Sequence, residues 1–183
     1  MHVVPLAIPD VKLITPVKHG DARGFFSETY NKRLLAQSGI ALDFVQDNHS
    51  LSQGRGTVRG LHYQAPPFEQ HKLIRVVRGR ILDIAVDIRR GSPTFGRWVS
   101  AELSTDNWTQ MLIPVGFAHG VCTLEPDTEI MYKVTNFYSP EHDLGIRWSD
   151  PDLNIAWPFP SDQLILSDKD KRQPLLKEAK IVF

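Results

Sequence analysis

The sequence has little cysteine, no excess charge of either sign and no long apolar run. Its 183 residues include one cysteine, Cys122, so no disulfide can form within the chain. Lysine plus arginine number 21 and aspartate plus glutamate number 21, which excludes the basic field typical of proteins that bind nucleic acid or acidic membranes. No segment approaches the ~18 consecutive apolar residues of a membrane-spanning helix. We therefore expect neither nucleic acid nor membrane as a partner.

The N-terminal segment also lacks the basic start, apolar stretch and small-residue cleavage site of a secretory signal. Together with the single cysteine, this predicts a cytoplasmic protein. Hydrophobic residues make up 42% of the chain, enough for a substantial core, and no repeat or linker interrupts it. We expect a single domain that spans residues 1–183.

Short runs of branched and aromatic residues, separated by glycine and proline, predict β-strands at many points. Clear examples are residues 72–88, 109–115 and 129–138. Across residues 80–88 a period of two predicts one apolar and one mixed face on a half-buried strand. Gly79, just before this segment, predicts a turn between two antiparallel strands.

Helical patterns are confined to two short segments. Residues 31–39 predict about two turns that end at Gly39, and residues 168–171 predict the start of a short C-terminal helix. The predicted architecture is therefore all-β, a sandwich or barrel of short antiparallel strands with a few short helices.

Two segments carry histidine in positions typical of ligands in a β-barrel. The segment "PVGFAHG", which contains His119, has the spacing P-x-G-x-x-H and resembles the second signature of the cupin superfamily. The first signature would supply H-x-H followed by glutamate; His62 and Glu69 have suitable positions, but Gln64 replaces the second histidine. An amide is a poorer ligand for zinc or iron than imidazole. A metal site of His62, Glu69 and His119 stays open as one alternative.

Without a metal, His62 still has a chemical use. A neutral imidazole accepts a carbon-bound proton near neutral pH when a carboxylate orients its other nitrogen. The structural alternative is a histidine that only completes a hydrogen bond at a strand end. The residues around His62 do not by themselves decide between these two interpretations.

A set of longer motifs resembles the dTDP-4-dehydrorhamnose 3,5-epimerase family, in that family's order and from about residue 10 to residue 175. The motifs are "DARGFFSE", "FVQDNHSLS", "RGLHYQ", "HKLIRVVRG", "DIRRGSPTFG", "LIPVGFAHG", "YKVTNFYSP" and "LSDKD". The resemblance implies a double-stranded β-helix, a cupin-like jelly-roll barrel. It also implies an enzyme without a cofactor, and a homodimer in which N-terminal strands cross to the partner subunit.

The resemblance further implies a substrate, dTDP-4-dehydro-6-deoxy-D-glucose, and inversion of its carbons 3 and 5 through an enolate. Four residues match the family's catalytic positions. His62 corresponds to the base, Asp170 to the carboxylate that orients it, Lys72 to the group that stabilises the enolate, and Tyr132 to the acid. The expected reaction is proton removal on one face of the sugar and proton return on the other.

Ten further residues match positions that hold the nucleotide, the pyrophosphate or the sugar. Tyr138 corresponds to the ring that stacks on thymine, and His119 to a second sugar contact. Arginine suits the pyrophosphate because its planar fork binds phosphate oxygens in pairs. The expected substrate-binding residues are Arg23, Glu28, Gln46, Asp47, Asn48, Arg59, His119, Tyr138, Asp143 and Lys169.

Other functions remain compatible with the sequence. A relative that inverts only carbon 3 or carbon 5 of a related nucleotide sugar would keep the same base, lysine and tyrosine. A metal-dependent cupin enzyme and a catalytically silent sugar-binding module are more distant alternatives. Taken singly, Lys72 and Tyr132 would more commonly be a solvated lysine and a strand-edge tyrosine than catalytic residues.

Overall fold

The computed structural model describes residues 1–183. Strands dominate it, and the helices are short. The elements in chain order are β1 (His2–Pro5), β2 (Lys12–Thr15), β3 (His19–Asp21), β4 (Gly24–Phe26), α1 (Lys32–Gln37), β5 (Gln46–Ser52), β6 (Val58–Gln64), β7 (Lys72–Arg78), β8 (Arg80–Asp87), β9 (Trp98–Ser104), β10 (Gln110–Ile113), β11 (Phe117–Thr123), β12 (Thr128–Val134), β13 (Asp143–Gly145) and α2 (Asp168–Lys171). No helix has the length and apolarity needed to cross a bilayer.

Two antiparallel sheets form the barrel. One has the strand order β1-β2-β10-β7-β12-β5 and the other the order β13-β6-β11-β8-β9, while β3 and β4 form a separate hairpin. Successive strands pass repeatedly from one sheet to the other, as in a jelly roll. The predicted all-β jelly-roll barrel with a few short helices is confirmed.

The turn at Gly79 differs from the prediction. Gly79 has a left-handed φ of 80° and separates β7 from β8, but these strands lie in different sheets and do not pair with each other. The predicted turn is present, but the strands on either side of it are not an antiparallel pair, because the turn carries the chain from one sheet to the other. A glycine in the sequence predicts that the chain turns, but it does not predict which strands then form hydrogen bonds with each other.

The strand β8 is buried on both faces, so the prediction of a half-buried strand is also wrong. Ile81 and Ala85 pack in the core between the sheets, and Ile84 and Val86 pack in a second core on the outer side. The C-terminal segment supplies residues to this outer core, including Ile181. This distant segment covers the face of β8 that the alternating pattern predicts to be exposed to solvent.

Both predicted helices are present. The side chain of Asn31 accepts hydrogen bonds from the first backbone amides of α1, and Gly39 follows the helix with a left-handed φ of 79°. Ser167 caps α2 by accepting a hydrogen bond from the backbone N–H of Asp170. These are ordinary start and stop arrangements for helices, which is why the sequence predicts them.

A close approach of two strands places the histidines opposite each other. In the pairing of β6 with β11, His62 lies opposite His119, and the register shifts just beyond His119. Gly60 has a φ of 139°, and a Cβ atom there would lie 2.6 Å from the Cα of Gly120 and 2.8 Å from the carbonyl oxygen of His119. Only glycine fits this backbone at residue 60.

We predict that Gly60→Ala lowers the free energy of unfolding by at least about 2 kcal/mol, because the new methyl group meets backbone that has no room to move. For a chain of this length the midpoint of thermal unfolding should fall by roughly 4–8 °C. Gly91→Ala is the matched control, since a Cβ atom there meets nothing within 4 Å. Equal midpoints for the two variants would contradict this account of Gly60.

Candidate active site

A cavity of about 500 Å³ opens between the two sheets and contains the predicted catalytic residues. His62 on β6 and His119 on β11 project from one sheet, and Lys72 on β7 and Tyr132 on β12 from the other. Asp170 lines the same cavity from α2. The structure therefore brings together the four residues predicted to be catalytic. His119, which was expected to contact the sugar, lies beside them.

His62 and Asp170 form a hydrogen-bonded pair. The Nε2 atom of His62 lies 2.6 Å from the Oδ1 atom of Asp170, and only 5% of the Asp170 side chain is exposed. The Ser167 hydroxyl donates to the other carboxylate oxygen over 2.9 Å, so the residue that caps α2 also fixes the carboxylate. Burial favours a raised pKa for Asp170, but the hydrogen bonds from His62 and Ser167 outweigh it and lower the pKa.

The ionised carboxylate decides which ring nitrogen of His62 carries the proton. Because a carboxylate only accepts hydrogen bonds, Nε2 must donate, and a neutral imidazole then has an unprotonated Nδ1. The His62 side chain is 28% exposed, so the ring is reachable from the cavity. A ring oriented in this way can accept a proton from a bound molecule.

Lys72 carries its charge into the cavity without a partner in this chain. Its ammonium group forms no hydrogen bond or ion pair with another side chain. By contrast Lys169, which lines the same cavity, pairs with Asp143. Burial lowers the pKa of Lys72 to about 8, although the carboxylates of Asp143 and Asp83 oppose the change. An unpaired ammonium in a partly dry cavity interacts strongly with a developing negative charge.

Tyr132 lies on the sheet opposite His62. It pairs in register with Ile74 of β7 and Asn48 of β5, and its ring packs against the core between the sheets. Burial raises the pKa of Tyr132, while the charge of Arg59 opposes the rise. The phenol is therefore protonated at neutral pH and can act as a proton donor.

Asp83 is a member of the site that the sequence reasoning missed. Its side chain is fully buried, and its Oδ1 atom lies 2.5 Å from Nε2 of His119, whereas its Oδ2 atom has no hydrogen-bond partner. Burial lowers the pKa of His119, and Asp83 opposes this effect. The available signal was a carboxylate on the mixed face of a strand that is rich in apolar residues, because such a group needs a partner when it is buried.

A smaller cavity of about 130 Å³ adjoins the first and shares His62, Lys72 and Tyr132 with it. Its remaining lining comes from the residues expected to hold the nucleotide and from three neighbours: Gln46, Asn48, Tyr138 and Asp143, with Tyr63, Gln64 and Gln70. The two cavities therefore meet at His62, Lys72 and Tyr132.

Hydrogen bonds link the binding residues around the smaller cavity. The Tyr138 hydroxyl donates to Asp143 over 3.0 Å, and the Lys169 ammonium donates to the same carboxylate oxygen over 2.5 Å. Gln46 accepts from the backbone N–H of Tyr138 over 3.1 Å and donates to Asn48 over 2.9 Å. These bonds hold Tyr138 beside the opening although its ring is 56% exposed.

Arg59 lies at the edge of the larger cavity. It donates to the Ser52 hydroxyl over 3.1 Å and to the carbonyl of Leu51 over 3.2 Å. Neither acceptor carries a charge. Its guanidinium therefore keeps its positive charge available for an anion at the cavity opening.

Three expected binding residues lie outside both cavities of this chain. Asp47 points to the other face of its sheet, where it accepts a hydrogen bond from Lys133 over 2.8 Å. The side chain of Arg23 is 90% exposed on the β3–β4 hairpin and pairs with Asp21. Glu28 follows the same hairpin and accepts a hydrogen bond from Asn31. A strand alternates its side chains between faces, so three consecutive residues such as 46–48 cannot all face one cavity.

The metal alternative has no support in the side-chain arrangement. Glu69 does not line the cavity that holds His62 and His119, and no group of three histidine, cysteine, aspartate or glutamate side chains is placed to hold a metal ion. The geometry instead suits proton transfer, with an oriented imidazole, an unpaired ammonium and a protonated phenol around one space.

A family model described as dTDP-4-dehydrorhamnose 3,5-epimerase matches residues 5–178. The chain belongs to the dTDP-4-dehydrorhamnose 3,5-epimerase family. A dTDP-4-dehydrorhamnose 3,5-epimerase of Sinorhizobium fredii is 51% identical over 183 residues, which are 100% of this chain and 93% of that protein. The predicted family is thereby confirmed.

Solved structures of dTDP-4-dehydrorhamnose 3,5-epimerase family members have the same fold. The Bacillus anthracis enzyme, crystallised with TDP and PPi bound, is 51% identical with a TM-score of 0.92, and the match covers 95% of this chain and 98% of that one. A Legionella pneumophila dTDP-6-deoxy-D-glucose-3,5-epimerase in complex with dTDP-4-keto-L-rhamnose is 46% identical with a TM-score of 0.91, over 97% and 93% of the two chains.

Proposed function

We propose that this chain is an epimerase that needs no cofactor and inverts carbons 3 and 5 of dTDP-4-dehydro-6-deoxy-D-glucose. The product would be dTDP-4-dehydro-L-rhamnose, an intermediate of dTDP-L-rhamnose biosynthesis. Family membership supports the substrate class. The observation that carries the chemistry is the His62–Asp170 pair across a cavity from Tyr132, with Lys72 between the sheets.

The proposed reaction begins at a carbon next to the ketone. Nδ1 of His62 takes the proton, and the electron pair of the C–H bond moves into an enolate whose negative charge lies on the ketone oxygen. Asp170 stabilises the imidazolium that forms. Tyr132 then donates its phenolic proton to the opposite face of the same carbon, and exchange with solvent restores both side chains.

Lys72 is proposed to stabilise the enolate oxygen. At neutral pH a pKa of about 8 leaves most of this side chain protonated, although burial works against the charge. Removing one such electrostatic donor from an active site typically costs about 10²–10³-fold in turnover. The charge has no partner in the chain, so it is free to respond to the substrate.

The nucleotide is proposed to occupy the smaller cavity and its opening. The exposed ring of Tyr138 suits stacking on a base, and Gln46 and Asn48 offer amide groups beside it. Arg59, which lines the larger cavity, is proposed to pair with the pyrophosphate. Lys169 and Asp143 contact each other at the same opening and are proposed to contact the substrate there.

We further propose a homodimer with exchanged N-terminal strands, in which the β3–β4 hairpin reaches the partner's cavity. Phe25 and Phe26 on this hairpin are 55% and 67% exposed, which favours burial against another chain. Arg23 and Glu28 would then contact the partner's nucleotide. Residues 1–183 are proposed to form one domain, and the single cysteine, which is buried and free, suits the cytoplasm.

The proposed function is tested by incubating the enzyme with its keto sugar in deuterated water. Each inversion replaces a carbon-bound hydrogen by solvent deuterium, so NMR of the product should show label at two carbons. Label at one carbon would instead indicate an enzyme that inverts a single centre. No label, with the substrate bound, would refute epimerisation.

We predict that His62→Ala and Tyr132→Phe each lower turnover by at least roughly 10²-fold, the usual contribution of general acid–base catalysis. The variants should differ in hydrogen exchange. Tyr132→Phe retains the base and should still exchange substrate hydrogen with deuterated solvent, whereas His62→Ala should not. Phe95→Ala, a half-exposed aromatic residue that lines neither cavity, is the control. Near-normal turnover in both variants would eliminate this mechanism.

Hybrid dimers test whether Arg23 contributes to the site of the partner subunit, as we predict. A hybrid of one His62→Ala subunit and one Arg23→Ala subunit has one site with an intact His62 and an intact Arg23 from its neighbour. At low substrate concentration it should recover about half of the wild-type activity, since one of two sites is complete. Homodimers of each variant provide the baselines. If Arg23 served its own chain, the hybrid would show no recovery.

A further inference from the structure

Trp108 adopts an unusual backbone conformation in the turn between β9 and β10. Its φ is 57°, in the left-handed region that large side chains rarely adopt. The turn around it is fixed, because the Asn107 side chain accepts hydrogen bonds from the backbone N–H groups of Ser104 and Thr109, both over 3.1 Å. Strained residues of this kind persist where surrounding contacts determine them.

The Trp108 side chain contacts residues on both sides of the β3–β4 hairpin. Its indole N–H donates to the Ser27 hydroxyl over 3.0 Å, just after β4. The Phe25 ring meets it edge to face, with centroids 4.9 Å apart and planes at 80°. The Lys18 ammonium, just before β3, lies 4.0 Å from the Trp108 ring centre and 4.3 Å from that of Phe25.

The hairpin belongs to neither sheet of the barrel. Its strands pair only with each other, and all six of their residues are exposed. Edge-to-face aromatic pairs and cations over aromatic rings are attractive, and here they act together with a directional hydrogen bond. Trp108 thus fixes the direction in which the hairpin leaves the barrel, and with it the position of Arg23 at the hairpin turn.

We propose that Trp108 is a positioning residue for nucleotide binding, which holds the hairpin so that Arg23 reaches the pyrophosphate in the partner subunit's cavity. This inference rests on the proposed function, since it needs Arg23 to act on the nucleotide of a second copy. Trp108 itself lines neither cavity of its own chain. Its effect passes through Phe25 and Ser27 to the hairpin.

The test is a double-mutant cycle on the dimeric enzyme, with dTDP affinity measured by calorimetry and with kcat and KM measured on the keto sugar. Arg23→Ala should weaken dTDP binding about tenfold, the loss of a charge-assisted hydrogen bond. Trp108→Ala should weaken it by a comparable factor and raise KM while kcat at saturation stays near wild type. The double variant should bind no more weakly than Arg23→Ala alone.

Two further variants keep the test decisive if Trp108→Ala folds poorly. Ser27→Ala removes only the hydroxyl that accepts from the indole, and Trp108→Phe keeps a ring but loses the N–H donor. Both should raise KM by a smaller factor. Phe95→Ala should leave dTDP affinity unchanged.

The outcomes separate this inference from the proposed function. If Arg23→Ala weakens dTDP binding and the Trp108 and Ser27 variants do not, the positioning role is wrong and the function stands. Effects that multiply in the double variant, a fall in kcat without a change in KM, or dissociation of the Trp108 variants into monomers would also overturn the role. If Arg23→Ala leaves affinity unchanged, the nucleotide contact and the inference both fail.

Discussion

The hydrogen bond between His62 and Asp170 is the interaction on which the rest of the site depends. It joins β6 to the first turn of α2 over 2.6 Å, although the two residues are 108 positions apart in the sequence. Ser167 supports it twice, since the same hydroxyl caps the helix and donates to the carboxylate. A charge-assisted bond of this kind fixes both the orientation of the ring and the nitrogen that carries the proton. The residue that caps α2 therefore also fixes the carboxylate that orients the proposed base.

The electrostatic balance of the cavity complements this pair. Lys72 has no partner, and the nearby carboxylates of Asp83 and Asp143 are each engaged by another group, His119 and Lys169. Burial lowers the pKa of Lys72 to about 8, which still leaves most of this side chain charged at neutral pH, and it raises the pKa of Tyr132, which keeps the phenol protonated. In a partly dry space the ammonium charge favours an enolate over a neutral ketone more strongly than it would in water.

Much of the fold and of the site follows from the sequence, because motifs specify local chemistry. The strand patterns, both short helices and the meeting of His62, Lys72, Tyr132 and Asp170 were predictable from the residues and the family resemblance. The rest depended on long-range packing. The turn at Gly79 crosses between sheets, and the C-terminal segment buries the outer face of β8. Asp83, Asp47 and Trp108 owe their roles to strand faces and turn geometry that no short motif encodes.

The role of the His62–Asp170 pair is best tested by the protonation of the His62 ring in the free enzyme. NMR of protein labelled with ¹⁵N in histidine distinguishes the two ring nitrogens at a pH where the imidazole is neutral. We expect a proton on Nε2, held by Asp170, and an unprotonated Nδ1; Asp170→Asn should disturb this preference. A neutral ring with its proton on Nδ1 would rule out His62 as a base oriented by Asp170.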